Sequence, residues 1–334
     1  TGVENMKIAL AGQPGCGRST LYRALAENPD ADVSKPLTVH VPDPRIDFLE
    51  AHWEPKSVVR ATVTFTDVPS PAFSPKNMGR LKESTAIAMV LDNYALGNLE
   101  EAFLQNESEL MLSDFSIVEK RIARLQKESK GKSPEALLLL RAMELLEGEV
   151  PLRRMELTEQ EEEMLSPFSL ASLKPLLVIS NRTGEGVSPE AGVERTVREH
   201  GGAFLGIDAA FELELADIPE DEREEFLESM GYAASGRQRL LEEAYSLLDL
   251  ISFLTMGKDE VRAWPIKRGS TALTAAGTIH SDLARGFIRA QVIPFDTFRK
   301  TPDEGELRKT GELGLQGKDY LVNDGDILEI KFSV

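Results

Sequence analysis

One cysteine stands in 334 residues, Cys16, so no disulfide can form within the chain. A lone thiol fits a reducing compartment, and a cytoplasmic location is expected. Histidine is nearly as scarce: His40, His52, His200 and His280. None has metal-ligand spacing with another histidine, with Cys16 or with a carboxylate. No Ser-His-Asp arrangement emerges either, so each histidine is read as structural and no catalytic residue is nominated. No apolar run approaches the ~20 residues of a membrane-spanning helix, and no basic-then-apolar leader opens the chain. Thr1 to Asn5 precede Met6 and are read as an addition ahead of the native start. There is no internal repeat and no low-complexity stretch. Positive charge is in deficit too: 38 Lys and Arg against 56 Asp and Glu leave a net charge of -18. Such a surface repels nucleic acid, so an RNA contact needs a local basic patch. Taken alone, the acidity serves solubility.

The length allows two or three domains. Lys7-Ile-Ala-Leu-Ala11 is a short apolar run that reads as a buried strand ending at Gly12. It feeds Gly12-Gln-Pro-Gly15-Cys16-Gly17-Arg18-Ser19-Thr20, and a helix follows from Ser19 to Leu25. A strand, a glycine-rich loop and a helix, in that order, form a phosphate-binding loop. Its pattern is Gly, four residues, Gly, Lys, then Ser or Thr; here Arg18 replaces the lysine. Gly12, Gly15 and Gly17 let the backbone turn its amides inward as an anion nest. Ser19 would offer a hydroxyl to Mg²⁺. Arg18 keeps the charge, but its planar fork does not superpose on a lysine ammonium.

Ala61-Thr-Val-Thr-Phe-Thr66 reads as a second strand, and Ala86–Leu91 and Pro175–Ile179 as two more. Together they predict a mostly parallel sheet with helices on its faces. Asp67 ends its strand where a nucleotide hydrolase places its Mg²⁺-linked carboxylate. The next residues are Val68-Pro69-Ser70-Pro71, with Ser70 where a γ-phosphate switch has glycine. Proline fixes φ and restrains its predecessor, so a rigid turn competes with a switch here. Asn181 follows the strand at 175–179 and reads either as a residue near a base or as an ordinary turn residue. The string Asn181-Arg182-Thr183-Gly184 lacks the aspartate of a guanine-reading motif, and Glu185 comes one residue late.

Between Leu99 and Leu165 the pattern turns helical. Leu104, Met111, Phe115, Val118, Ile122 and Leu125 form a heptad seam, and Ala136, Leu139, Met143 and Leu146 a second. Between them Ser133 is placed as an N-cap and Pro134 as the first helical residue. This predicts an antiparallel coiled-coil hairpin inserted in the α/β domain. Its tip carries Lys120, Arg121, Arg124, Lys127, Lys130 and Lys132, either a solvated face or a contact to RNA or an acidic partner. Ala209–Leu248 is acidic and helical with a break at Ile218-Pro219, and a small strand-rich α+β module follows from Leu250.

Five strings now coincide: the phosphate loop, Val41-Pro-Asp-Pro-Arg-Ile-Asp-Phe-Leu49, Glu260-Val-Arg-Ala-Trp264, Gly286–Ile293 and Gly317-Lys-Asp-Tyr-Leu-Val-Asn-Asp-Gly-Asp326. In these the chain resembles the YchF family, the Obg-like ATPases, over nearly its whole length. The resemblance implies a P-loop G domain over 6–97 and 170–249, a coiled-coil hairpin over 98–169 and a TGS domain over 250–334. It also implies a purine nucleotide, ATP or GTP with Mg²⁺, and association with ribosomes or RNA, the TGS domain included.

Against the family pattern, Arg18 stands for Lys, Gly15 and Cys16 for Asn and Val, Ser70 for Gly, and Gly184 for Glu. The stretches 31–41 and 68–99 look shortened, and the second lacks the family's catalytic histidine. Two readings remain open. One is a nucleotide-binding protein with weak or lost hydrolysis, held by Gly12, Gly15, Cys16, Gly17, Arg18, Ser19, Thr20 and Asn181, with Ser19 and Asp67 on the metal. The other is a nucleotide-independent scaffold.

Overall fold

A computed structural model describes residues 6–95, 97–184 and 186–333, the side chains of Glu220 and Asp221 excepted. Thr1–Asn5 and Glu185, singled out above, lie outside the described residues. In chain order the strands are β1 (Lys7–Gly12), β2 (Leu37–His40), β3 (Ser57–Val59), β4 (Thr62–Asp67), β5 (Ala86–Asn93), β6 (Leu176–Arg182), β7 (Ala203–Ile207), β8 (Leu250–Thr255), β9 (Glu260–Lys267), β10 (Phe287–Pro294), β11 (Gly314–Gln316) and β12 (Asp326–Phe332). They build two sheets in two compact units. Residues 6–39 and 64–243 form one unit, and residues 40–63 and 244–333 belong to the other.

The first sheet has the order β2-β4-β1-β5-β6-β7. β1 pairs parallel with β4 and β5, β5 with β6, and β6 with β7. A run such as Ile8-Ala-Leu-Ala11 is apolar toward both faces, and only a strand covered on both sides can bury it. All four residues are buried, as are Ile87 and Phe65 on the neighbouring strands. Burying a large aliphatic or aromatic side chain contributes about 1.5–3 kcal/mol. Strand order reverses around β1, since β4 lies on one side of it and β5 on the other. In such sheets ligands sit beyond the carboxyl ends of the strands at that reversal.

The helix Leu99–Lys127 opens on Asn98, whose side chain accepts from the amides of Glu100 and Glu101. The structure splits the expected seam along it. In its first half Leu99, Phe103 and Leu110 pack into the core of the sheet, and Leu104 faces solvent at 39% exposure. Met111, Val118, Ile122 and Leu125 then pack with Ala136, Leu139 and Leu146 of the helix Pro134–Glu147, flanked by half-buried Phe115 and Met143. One helix serves two partners in succession, so no continuous stripe runs from Leu104. At the hairpin turn Ser133 accepts from the Ala136 amide at 3.2 Å and Pro134 occupies the first helical position, as its sequence predicts.

Two buried carboxylates hold the middle of the long helix. Glu107 pairs with Arg153 at 2.6 Å. Asp114 accepts from the amides of Ala171 and Ser172 and from the Ser172 hydroxyl. Burial pushes the Asp114 carboxyl up, against these bonds that favour its charged form.

The second sheet has the order β11-β10-β12-β8-β9-β3. β8 and β9 form an antiparallel pair, β12 runs parallel to β8, and β3 runs parallel to β9. The sequence expectation placed residues 40–63 in the N-terminal domain. They lie instead with the C-terminal strands, because β3 completes the edge of this sheet. Two of the five strings meet within this unit. Arg45, beside Asp43 at 2.8 Å, reaches Asp324 at 2.9 Å. The other oxygen of Asp324 accepts from the Ser252 amide at 2.8 Å, and Asp326 accepts from Tyr320 and the Asn323 amide. Gly325 has φ +83, and a Cβ there would meet Arg45 Nη1 at 2.8 Å. These residues staple a turn between strands. Arg45→Ala is expected to destabilise this unit by about 1–3 kcal/mol. Both tryptophans, Trp53 and Trp264, lie in it. Their fluorescence in a urea titration checks the outcome.

Candidate functional site

β1 ends at Gly12, and the helix Arg18–Leu25 starts six residues later. Gly17 is its N-cap, in the left-handed region at φ +80, and no side chain caps the helix. The amides of the first turn therefore have neither an intrahelical nor a capping side-chain partner, and the helix dipole adds partial positive charge there. A cleft of about 330 Å³ opens over this turn, lined by Gln13, Gly15, Cys16, Gly17, Arg18, Ser19, Thr20, Ser70 and Tyr94. A second cleft of about 190 Å³ shares Gly17, Thr20 and Tyr94 with it and extends to Asn181, Thr183 and Asp208. The two clefts suit a phosphate chain and a ring attached to it.

The loop is held from three sides. The Asn181 amide donates to Cys16 O at 3.0 Å while its oxygen accepts from the Ala209 amide at 3.1 Å. Gln13 donates to Asn106 of the long helix at 2.7 Å. Cys16 is buried, which pushes its thiol up. Asn181, expected near a base, thus borders the second cleft and also braces the loop. Asp208 accepts from the amides of Gly184 and Phe211, each at 3.0 Å, so both its oxygens are engaged at the rim of that cleft.

Arg18 lines the first cleft with its guanidinium closed on Asp67 and Ser70. Its Nε and Nη2 donate to the two oxygens of Asp67, the latter bond at 3.2 Å, and Nη1 donates to Ser70 Oγ at 3.1 Å. The Arg18 and Asp67 side chains are 9% and 8% exposed. Burial raises the Asp67 carboxyl above its ordinary value, and the Arg18 charge opposes that shift. Ser70 sits in a braced turn. Asn77 donates to Pro69 O and Pro71 O, and Val68, Ala72 and Phe73 are buried in the sheet's core.

The sequence sets Ser19 and Asp67 on two sides of a Mg²⁺ ion. At a phosphate site Mg²⁺ is held through one or two carboxylates together with phosphate oxygens and water, and both oxygens of the expected carboxylate, Asp67, face guanidinium nitrogens. The residues present do not fit Mg²⁺ in this arrangement. Among the described residues no group of three or more His, Cys, Asp or Glu is placed to hold a metal ion. His52 lies in a ring cluster with Phe48, Trp53 and Phe298, His200 packs on Phe103, and His280 caps a short helix. The sequence reading missed Tyr94 and Asp208. Their only local signal is position, directly after β5 and β7 at the carboxyl edge of the sheet.

A glycine-loop strand at the reversal of a parallel sheet, with a helix N-terminus facing a cleft, defines a P-loop α/β protein. A family model, YchF-GTPase_C, described as "Protein of unknown function (DUF933)", matches residues 250–333. The chain is 32% identical to the ribosome-binding ATPase YchF of Pasteurella multocida, over 98% of this chain and 99% of that protein. It is 30% identical to the ribosome-binding ATPase YchF of Bacillus subtilis, over 98% of this chain and all of that one. The solved structure of the Schizosaccharomyces pombe YchF GTPase superposes with a TM-score of 0.88 at 24% identity, covering 98% of both chains. The chain belongs to the YchF family.

A Cβ at Gly17 would lie 1.9 Å from Asn181 Nδ2, at a φ that side chains rarely adopt. Gly17→Ala is therefore expected to cost about 1–3 kcal/mol. A lowered melting temperature in circular dichroism would show it, and an unchanged one would contradict the clamp.

Proposed function

We propose that this protein binds a purine nucleotide, ATP or GTP, and hydrolyses it weakly or not at all. Main-chain amides from Gly15 to Thr20, over the turn that carries Cys16, Gly17, Arg18 and Ser19, take the phosphates. Gly12 allows the strand to turn into the loop, and Asn181 borders the ring. No carboxylate in the Asn181–Gly184 string selects guanine. The observation that carries the reading is the closure of Arg18 on Asp67. It removes both the loop cation and the metal-side carboxylate from the places where a γ-phosphate would need them. The relatives' ribosome-binding names support a cytoplasmic protein that docks on the ribosome or on RNA. Calorimetry with ATP, GTP and their diphosphates is expected to show binding, and a phosphate-release assay a rate at or little above the spontaneous one. Turnover abolished by Asp67→Ala would overturn the lost hydrolysis. Absence of binding to all four nucleotides at millimolar concentration would favour the scaffold reading, which the self-satisfied Arg18–Asp67 pair also supports.

The hairpin tip is the proposed ribosome or RNA contact, together with the TGS-like C-terminal unit. Within the tip Arg121 pairs with Glu135, and Arg124 and Lys130 with Glu128. Lys120, Lys127 and Lys132 are exposed and form no ion pair among the described residues. They carry the uncompensated charge. Reversing these three to Glu is expected to lower ribosome co-sedimentation and reduce its salt slope by up to about three units. Unchanged co-sedimentation would make the tip a solvated face.

A further inference from the structure

We infer that nucleoside phosphates bind this site without a divalent cation, and that Arg18 rather than a metal neutralises Asp67. The inference rests on the nucleotide binding proposed above. Arg18 spans both oxygens of Asp67 and reaches Ser70 Oγ and, at 3.5 Å, Gly12 O. Of its five N–H groups, this arrangement leaves one on Nη2 uncommitted. A metal ion seated on Asp67 would have to displace the guanidinium and leave it buried without a counter-charge, which is strongly unfavourable. It would also stand within a few ångströms of a like charge.

Two like-sized charges, one of each sign, cancel at the floor of the cleft. Attraction for phosphate then comes from the uncapped first turn and the loop amides, which are neutral and need no metal. A second consequence concerns phosphate number. In a metal-dependent site the ion bridges β- and γ-oxygens and so rewards the triphosphate. With Arg18 held on Asp67, no side chain among the described residues performs that bridging, so diphosphate and triphosphate bind alike.

The test is calorimetry of the full chain with ADP and ATP, each in excess Mg²⁺ and in EDTA. The four dissociation constants are expected to agree within about threefold. Weakening of about tenfold or more in EDTA would overturn the inference while leaving nucleotide binding intact. No binding in any of the four titrations would overturn both. Two variants separate the roles. Asp67→Asn keeps one acceptor oxygen for the guanidinium but frees its charge, and is expected to tighten binding in EDTA. If Asp67 is a metal ligand, that variant instead loses binding in Mg²⁺. Arg18→Lys cannot span both oxygens, so it is expected to bind more tightly in Mg²⁺ than in EDTA. Equal binding by the lysine variant in both conditions would remove Arg18 as the cause.

Discussion

A guanidinium drawn off the phosphate loop and closed on a carboxylate at the end of the adjacent strand organises the ligand-facing corner of this protein. Arg18 and Asp67 are both largely out of water. Such a pair is not a large net source of stability, because each ion loses its hydration. Breaking it by removing one partner nevertheless costs about 3–5 kcal/mol, since the other charge stays buried. The pair therefore acts as a geometric constraint. It ties the start of the first helix to the end of β4 and draws Ser70 in as a third partner. The turn after Ser70 is sealed by Asn77 and by Val68, Ala72 and Phe73 in the core. A loop held in this way is a wall of the cleft.

That wall stands within a wider bracing scheme. Asn181 ties Cys16 to the segment after β7, and Gln13 reaches Asn106 in the long helix. At the next residue Glu107 pairs with Arg153, and two turns further along Asp114 holds the backbone at 171–172. Burying such groups is costly unless they are paired, and here the pairing is partial: among the described residues Asn106 Nδ2, Glu107 Oε2 and Arg153 Nη2 are buried without a hydrogen-bond partner. The pairs that form set the register of the long helix against the sheet, and so the place where it changes partner from sheet to hairpin mate.

The family strings divide by what they do. The glycine loop surrounds the cleft. The string at 41–49 and the string at 317–326 meet as Arg45 and Asp324, and with Ser252, Tyr320 and Asp326 they close a turn in the C-terminal unit. Recurrent residues of this kind read as functional when only the chain is seen, yet here their chemistry is consumed within the fold.

Local pattern decided a good deal. The apolar run 7–11, the glycine loop and the helix after it, the strands before Asp67 and Asn181, and the Ser133-Pro134 cap depend on neighbours a few residues away, and they are legible in order. The substitution of Lys by Arg18 is equally plain in the chain. Its consequence is not. Whether that fork points at phosphate, at solvent or at a carboxylate depends on Asp67 and Ser70, which lie about fifty residues on and arrive only when β4 pairs with β1. The split of the heptad seam at Leu104, the placement of β3 in the second sheet and the double duty of Asn181 have the same origin. Periodicity and turn chemistry report what a segment can form, while the partner of a side chain is chosen by the surface it meets after the sheets have assembled.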